Sequence, residues 1–169
     1  PDSRPELWTK GHRNPQGLLV HPVTGRVWST EHGPRAGDEL NLIEPGENYG
    51  WPVVSRGLDY RTQEQIGTGR SLAGMVDPIR DWSPAIAPSG FAVYTGDRFE
   101  AWHGDFFVGS LVRSHLVRVV MLGPEVIHEE ELLRDEIGRI RDVRDGPDGY
   151  LYVLTDENPG GVYRLEPAG

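Results

Sequence analysis

The run His21-Pro22-Val23-Thr24-Gly25-Arg26-Val27-Trp28-Ser29-Thr30-Glu31 reads as a turn feeding a short strand that ends on a Thr-acid pair. Proline and glycine set the turn, and Val27–Thr30 has the β-branched and aromatic character of a strand. The same order returns in Pro147-Asp148-Gly149-Tyr150-Leu151-Tyr152-Val153-Leu154-Thr155-Asp156. Gly104-Asp105-Phe106-Phe107-Val108 is a weaker third copy. Trp28 and Phe107 are 79 residues apart, and Phe107 and Tyr152 are 45 apart. The second spacing fits one propeller blade, and the first fits a blade plus an insertion. Unrelated hairpins of similar sequence are the competing reading.

Working outward, further short apolar runs predict strands at Leu18–Val20, Leu40–Ile43, Gly90–Tyr94, Asp105–Gly109, Leu116–Val120, Ile140–Val143, Leu151–Leu154 and Val162–Leu165. Glu129–Glu136 reads as one or two helical turns. Residues 44–86 carry little periodicity and read as a long loop excursion. The helices that βαβ units need are missing. The expected fold class is therefore all-β, with about three blades of four short strands in this chain. The 22 glycines and 14 prolines suit that many turns better than a helical bundle.

Three blades do not close a ring, since propellers close with roughly four to eight. An open arc exposes strand edges. The expectation is that residues 1–169 form only part of a closed propeller domain. Residues preceding Pro1, or another chain, would complete the ring. The 169 residues suffice for a core.

Composition excludes several classes. The net charge of −9 argues against a nucleic-acid surface, which needs a concentrated basic footprint. No apolar run reaches the length of a membrane span, and no signal-peptide core is visible. Without cysteine there is no disulfide framework or thiolate chemistry. Phosphate-loop, Rossmann and nucleophile-elbow patterns are absent.

Three polar clusters remain. In Gly11-His12-Arg13-Asn14-Pro15-Gln16-Gly17, Arg13 suits a carboxylate, and Asn14 and Gln16 suit a ring oxygen or amide. A solvated turn is the equal alternative. In Thr30–Glu39, the carbonyls around Gly33 and Pro34 suit a hard cation, with Glu31, Asp38 and Glu39 supplying negative charge. On a regular strand Arg139 and Arg141 share one face and suit an anion, with Arg144 outside the alternation. Surface arginines would look the same. Asn48–Pro52 offers aromatic surface to a pocket, with Tyr49 the better wall and Trp51 the better core cover.

At these clusters the chain resembles the pyrroloquinoline-quinone-dependent soluble aldose and glucose sugar dehydrogenases. The resembling segments are GHRNPQGL (11–18), TEHGPRAGDELNLIEPGENYGWP (30–52), WSPAIAPSGFAVYTGDRF (82–99), GDFFVGSL (104–111) and RIRDVRDGPDGYLYVLTDE (139–157). They cover nearly the whole chain in family order.

The resemblance implies a six-bladed β-propeller about twice this length, with residues 1–169 as the C-terminal half of that single domain, which binds pyrroloquinoline quinone (PQQ) and Ca²⁺. It implies that Arg13, Asn14, His32, Arg139 and Arg141 contact the quinone, with Arg13 polarising the reacting carbonyl. It implies calcium on the carbonyls of Gly33 and Pro34. The reaction would take an aldose to its lactone and pass electrons to an external acceptor, in the periplasm or outside the cell. Two departures are visible. Val112 stands where the glucose-dehydrogenase branch has a cofactor-binding lysine, and Arg113 on a regular strand would point the other way. No histidine here matches the family's catalytic base, so this chain alone is expected to be inactive. Ser55, Gly57 and Asp59 are candidates for a second calcium. The rival readings are a calcium-dependent lactonase and a ligand-binding propeller without catalysis.

Overall fold

The structure is a computed structural model, and it describes Arg4 and residues 6–168. Strands β1 (Pro15–Val20), β2 (Val27–Glu31), β3 (Asp38–Ile43) and β4 (Arg80–Trp82) form one antiparallel meander. Strands β5 (Pro88–Val93), β6 (Phe106–Ser110), β7 (Leu116–Leu122) and β8 (Glu125–Leu132) form a second. Strands β9 (Ile140–Asp145), β10 (Leu151–Thr155) and β11 (Val162–Leu165) form a third. These sheets are three successive blades of a β-propeller. The echo in the sequence marks equivalent positions, because Trp28, Phe107 and Tyr152 each lie on the second strand of a sheet.

The strand period of two builds the core. In the middle sheet Phe91, Val93, Phe106 and Val108 face Trp28, Leu40, Leu42 and Trp82 of the first. Their chain neighbours Ala92, Tyr94 and Phe107 face Ile140, Val143, Leu151 and Val153 of the third. Successive side chains on a strand point to opposite faces, so one sheet serves two cores. Each large apolar side chain so buried contributes about 1.5–3 kcal/mol.

The first strands β1, β5 and β9 pack in succession along one side of the arc. On the other side, the fourth strands of the first two sheets are clamped together. Arg80 donates through Nε and Nη2 to Glu129, both at 2.8 Å, and Trp82 Nε1 donates to the same carboxylate at 3.1 Å.

Four expectations are corrected here. Residues 125–132 pair with β7 as a strand, where Glu129–Glu136 reads as helical turns. Alternation explains this: Glu129 reaches Arg80 of the first sheet, whereas Glu130 reaches Arg118 on its own sheet. The excursion runs only over 44–79, because β4 begins at Arg80 and pairs with β3. The third sheet has three strands among the described residues, not four. Arg144 lies inside β9. A register shift there, opposite Leu154 and Thr155, puts Ile140 and Val143 in the same core although they are three residues apart.

Candidate functional site

One end of the arc collects the starts of β1, β5 and β9 and the ends of β2, β6 and β10. The local sequence therefore delivers residues 11–14, 32–37, 111–113, 139 and 156 to a common rim.

Arg13 is half-buried just before β1. Its backbone N–H donates to Glu31 at 3.1 Å, and Nη1 donates to the carbonyl of His32 at 3.0 Å. Its guanidinium lies over the Trp51 ring, 5.4 Å from the centroid. It makes no ion pair among the described residues. Asn14 is exposed and accepts from Gln16 Nε2 at 2.9 Å.

His32 sits where β2 runs into the loop. Its Nε2 is 2.8 Å from the carbonyl of Pro88, so Nε2 carries hydrogen and donates. Nδ1 is 3.5 Å from Asn14 Nδ2 and is left as an acceptor. Arg13, Asn14 and His32 are thus brought together by the β1–β2 hairpin.

The Gly33–Gly37 loop is organised from beneath by Asp38. One carboxylate oxygen accepts the Gly33 amide at 2.9 Å; the other accepts Ile86 at 2.8 Å and Ala87 at 2.7 Å. Burial raises the Asp38 carboxyl above its ordinary range, against these hydrogen bonds. A Cβ on Gly33 would collide with the carbonyls of Ala36 and Gly37, so only glycine fits this tight loop.

The carbonyl test for calcium gives a divided result. Gly33's carbonyl accepts no hydrogen bond among the described residues, whereas Pro34's accepts the amides of Ala36 at 2.6 Å and Leu58 at 2.9 Å. The loop as it stands offers one free carbonyl, not two. Most oxygens of Ser55, Gly57 and Asp59 already accept hydrogen bonds, Asp59 Oδ2 excepted. Ser55 Oγ accepts the Gly57 amide, the carbonyls of Ser55 and Gly57 accept Gln65, and Asp59 accepts Arg61 and Thr62. No cluster of three His, Cys, Asp or Glu side chains suited to a metal occurs among the described residues.

Arg139 and Arg141 do converge, but on a shared acid. Arg139 Nη2 and Arg141 Nη2 lie 3.1 and 2.7 Å from one oxygen of Asp156. These two hydrogen bonds hold the Asp156 carboxyl below its ordinary value. Both arginines remain exposed, and Arg139 Nη1 also donates to the carbonyl of Leu111 at 3.3 Å. Sequence showed Asp156 only as part of the repeat; its partners lie 15 and 17 residues away, on the neighbouring strand and just before it.

The aromatic expectation is corrected in part: Tyr49 does line a pocket, but it is the more buried of the two. Tyr49 is buried, stacks on His12 at 4.6 Å, donates to the Leu42 carbonyl at 2.6 Å and accepts the Glu44 amide. Trp51 is the half-buried wall beneath Arg13. Both line a narrow cavity with Glu31, His32, Gly33 and Glu39. Asn41 Nδ2 bridges Glu39 at 3.1 Å and Glu31 at 3.4 Å, and its Oδ1 is buried without a donor. Burial pushes the Glu39 carboxyl up to about 8, partly offset by Asn41 and reinforced by the neighbouring Glu31. Two carboxylates in one buried space do not ionise together cheaply.

A wider cleft of about 560 Å³ opens on the other side of His32 and Gly33, within the size range of small-ligand sites. Val112 and Arg113 both line it. The opposed directions expected on a regular strand do not apply, because β6 ends at Ser110 and the chain turns through Ser114 at φ 48°. Arg113's backbone N–H donates to Ser110 Oγ at 3.2 Å, its Nε donates to the Ala85 carbonyl at 3.3 Å, and the buried His115 Nδ1 donates to its carbonyl at 3.1 Å.

The sequence profile of the family described as Glucose / Sorbosone dehydrogenase matches residues 1–164. The aldose sugar dehydrogenase YliI of Escherichia coli is 41% identical over 166 residues, which are 98% of this chain and 45% of that protein. A crystal structure of a glucose dehydrogenase superposes with a TM-score of 0.94 at 46% identity, over 98% of this chain and 48% of that one. The PQQ-bound aldose sugar dehydrogenase of Streptomyces coelicolor gives a TM-score of 0.73 at 27% identity, over 94% of this chain and 45% of that one. The chain spans about half the length of the curated relatives it matches.

Proposed function

Since the chain belongs to the glucose/sorbosone dehydrogenase family, we propose that the intact protein oxidises an aldose at its anomeric carbon to the lactone. Pyrroloquinoline quinone, when bound, accepts the hydride and passes electrons to an external acceptor. The reading includes a six-bladed ring completed by an N-terminal half, which carries the catalytic base, and a periplasmic or secreted location. Residues 1–169 alone are then inactive.

The observation that carries it is Arg13. This unpaired, half-buried guanidinium sits at the rim beside Asn14 and His32, with Trp51 beneath it. One N–H on the His32 carbonyl fixes its direction, and its remaining donors stay available for a developing negative charge. Such a fixed cation in a partly dry site stabilises charge more than one in water does. Asn14 supplies a polar edge contact, and His32 Nδ1 is an acceptor held in place by the Pro88 carbonyl. Arg139 and Arg141 offer carboxylate recognition, with Asp156 as the group a ligand carboxylate must share or displace. Gly33 offers a carbonyl to calcium, and Pro34 joins it only if it releases an amide.

The test reconstitutes the intact protein with quinone and calcium and follows sugar-dependent dye reduction. Arg13→Ala is expected to lower turnover about 100-fold, with KM for the sugar little changed. Lactone hydrolysis without dye reduction would overturn the assignment in favour of a lactonase. Failure to bind quinone with calcium present would favour a binding module.

A further inference from the structure

We propose that Arg35 and Arg113 form a carboxylate-binding subsite in the wider cleft beside His32 and Gly33. The carboxylate is carried either by the quinone or by an acidic sugar, and the role rests on the sugar-oxidising reading for its location only.

The rim holds five arginines, and they are not equivalent. Arg139 and Arg141 already share Asp156 as a counter-charge. Arg13 faces the narrow cavity. Arg35 and Arg113 line the wider cleft, and neither pairs with an acid among the described residues. The one acid that lines this cleft, Asp38, is 1% exposed and already accepts three backbone amides. Two cations without an acid partner among the described residues therefore line one cleft in a chain whose net charge is −9. Composition alone does not produce that. The wider cleft is the place where an incoming anion meets the least competition from the protein's own acids.

Geometry narrows the anion. Arg113 is half-buried, and its Nε is fixed on the Ala85 carbonyl, so both Nη groups remain without a partner among the described residues. A planar fork anchored at its stem suits a planar carboxylate. The cleft has neither a lysine nor a helix N-terminus among its lining residues, which disfavours a phosphate site. Tyr60 and Val112 supply exposed apolar walls, 62% and 64% accessible, against which a ring can lie. Arg35 is held at the loop tip with φ 62° and makes no side-chain hydrogen bond among the described residues. Its removal costs the fold no hydrogen bond or ion pair among the described residues.

The experiment uses the intact protein and the variants Arg113→Gln and Arg35→Gln. Pyrroloquinoline quinone is titrated by tryptophan fluorescence, and D-glucuronate and D-glucose are titrated by calorimetry. Loss of one charge-assisted fork is expected to weaken the carboxylate ligand about 10- to 100-fold in each variant, with D-glucose unaffected. Weaker quinone binding in both variants assigns the subsite to the cofactor. Weaker D-glucuronate binding in both assigns it to the substrate. Wild-type protein that ignores quinone yet binds D-glucuronate in an arginine-dependent way sinks the cofactor reading and keeps the subsite. Either variant holding both carboxylates as tightly as wild type overturns the pair, as does wild-type protein that binds neither.

Discussion

Glu39 stores a proton where most glutamates carry a charge. Its folded pKa near 8 lies above the ordinary 4.5, chiefly through burial. Between those values the folded chain binds more protons than the unfolded one. The contribution to stability is full below the unfolded value and is lost as pH rises through the folded value. Asp38, also raised by burial, adds in the same direction. Urea midpoints are therefore expected to fall from about pH 5 to about pH 9, and Glu39→Gln to flatten that decline. An unchanged slope in the variant would count against Glu39 as the source. Arg13, Asn14 and His32 were legible through the family resemblance, and the β1–β2 hairpin brings them together. The Asp156 pairing and the Asn41 bridge were not, since each depends on how side chains line up once the strands are in register. Arg113 was misread for a different reason: the alternation rule holds only while the strand lasts, and β6 ends three residues earlier.

At the level of elements, strand existence was readable and strand identity was less so. β5, β6 and β10 announce themselves by aromatic and β-branched runs. β4 is three residues of Arg-Asp-Trp, too short and polar to be seen without its partner β3. β8 is rich in glutamate, which favours helix on propensity alone. Pairing with β7 and the Arg80 clamp override that preference. Glu129→Gln removes the charge that Arg80 grips with two hydrogen bonds and is expected to cost about 1 kcal/mol, read from denaturant midpoints. Phe106→Ala is expected to cost about 3–5 kcal/mol, because a large side chain packed against Trp28 and Phe91 leaves a cavity. A cost within 1 kcal/mol of zero would mean that the two sheets close the gap by moving together.

The whole molecule is an arc with two unlike outer faces. Leu18 and Val20 on β1 are 70% and 64% exposed, and Val162 and Tyr163 on β11 are open as well. Apolar groups adjacent on a strand and left in water are a surface other protein covers in most folds. Residues 1–169 expressed alone are expected to bind a hydrophobic fluorescent dye, and Leu18→Ser with Val20→Thr to reduce the signal. Equal dye binding by the double variant would place the open surface elsewhere.

Along β5, β6 and the start of β7 the middle sheet has a core on each face. To expose an amide there, the chain must break contact with the first sheet and with the third together. Opening there is global, whereas β1 and β11 can fray singly. Deuterium should enter β1 and β11 within the first exchange times and reach Phe106–Val108 and Leu116–Val119 last. The sheet between the other two is thus the slow clock of the molecule, and the rim that carries Arg13 is anchored to it through Pro88.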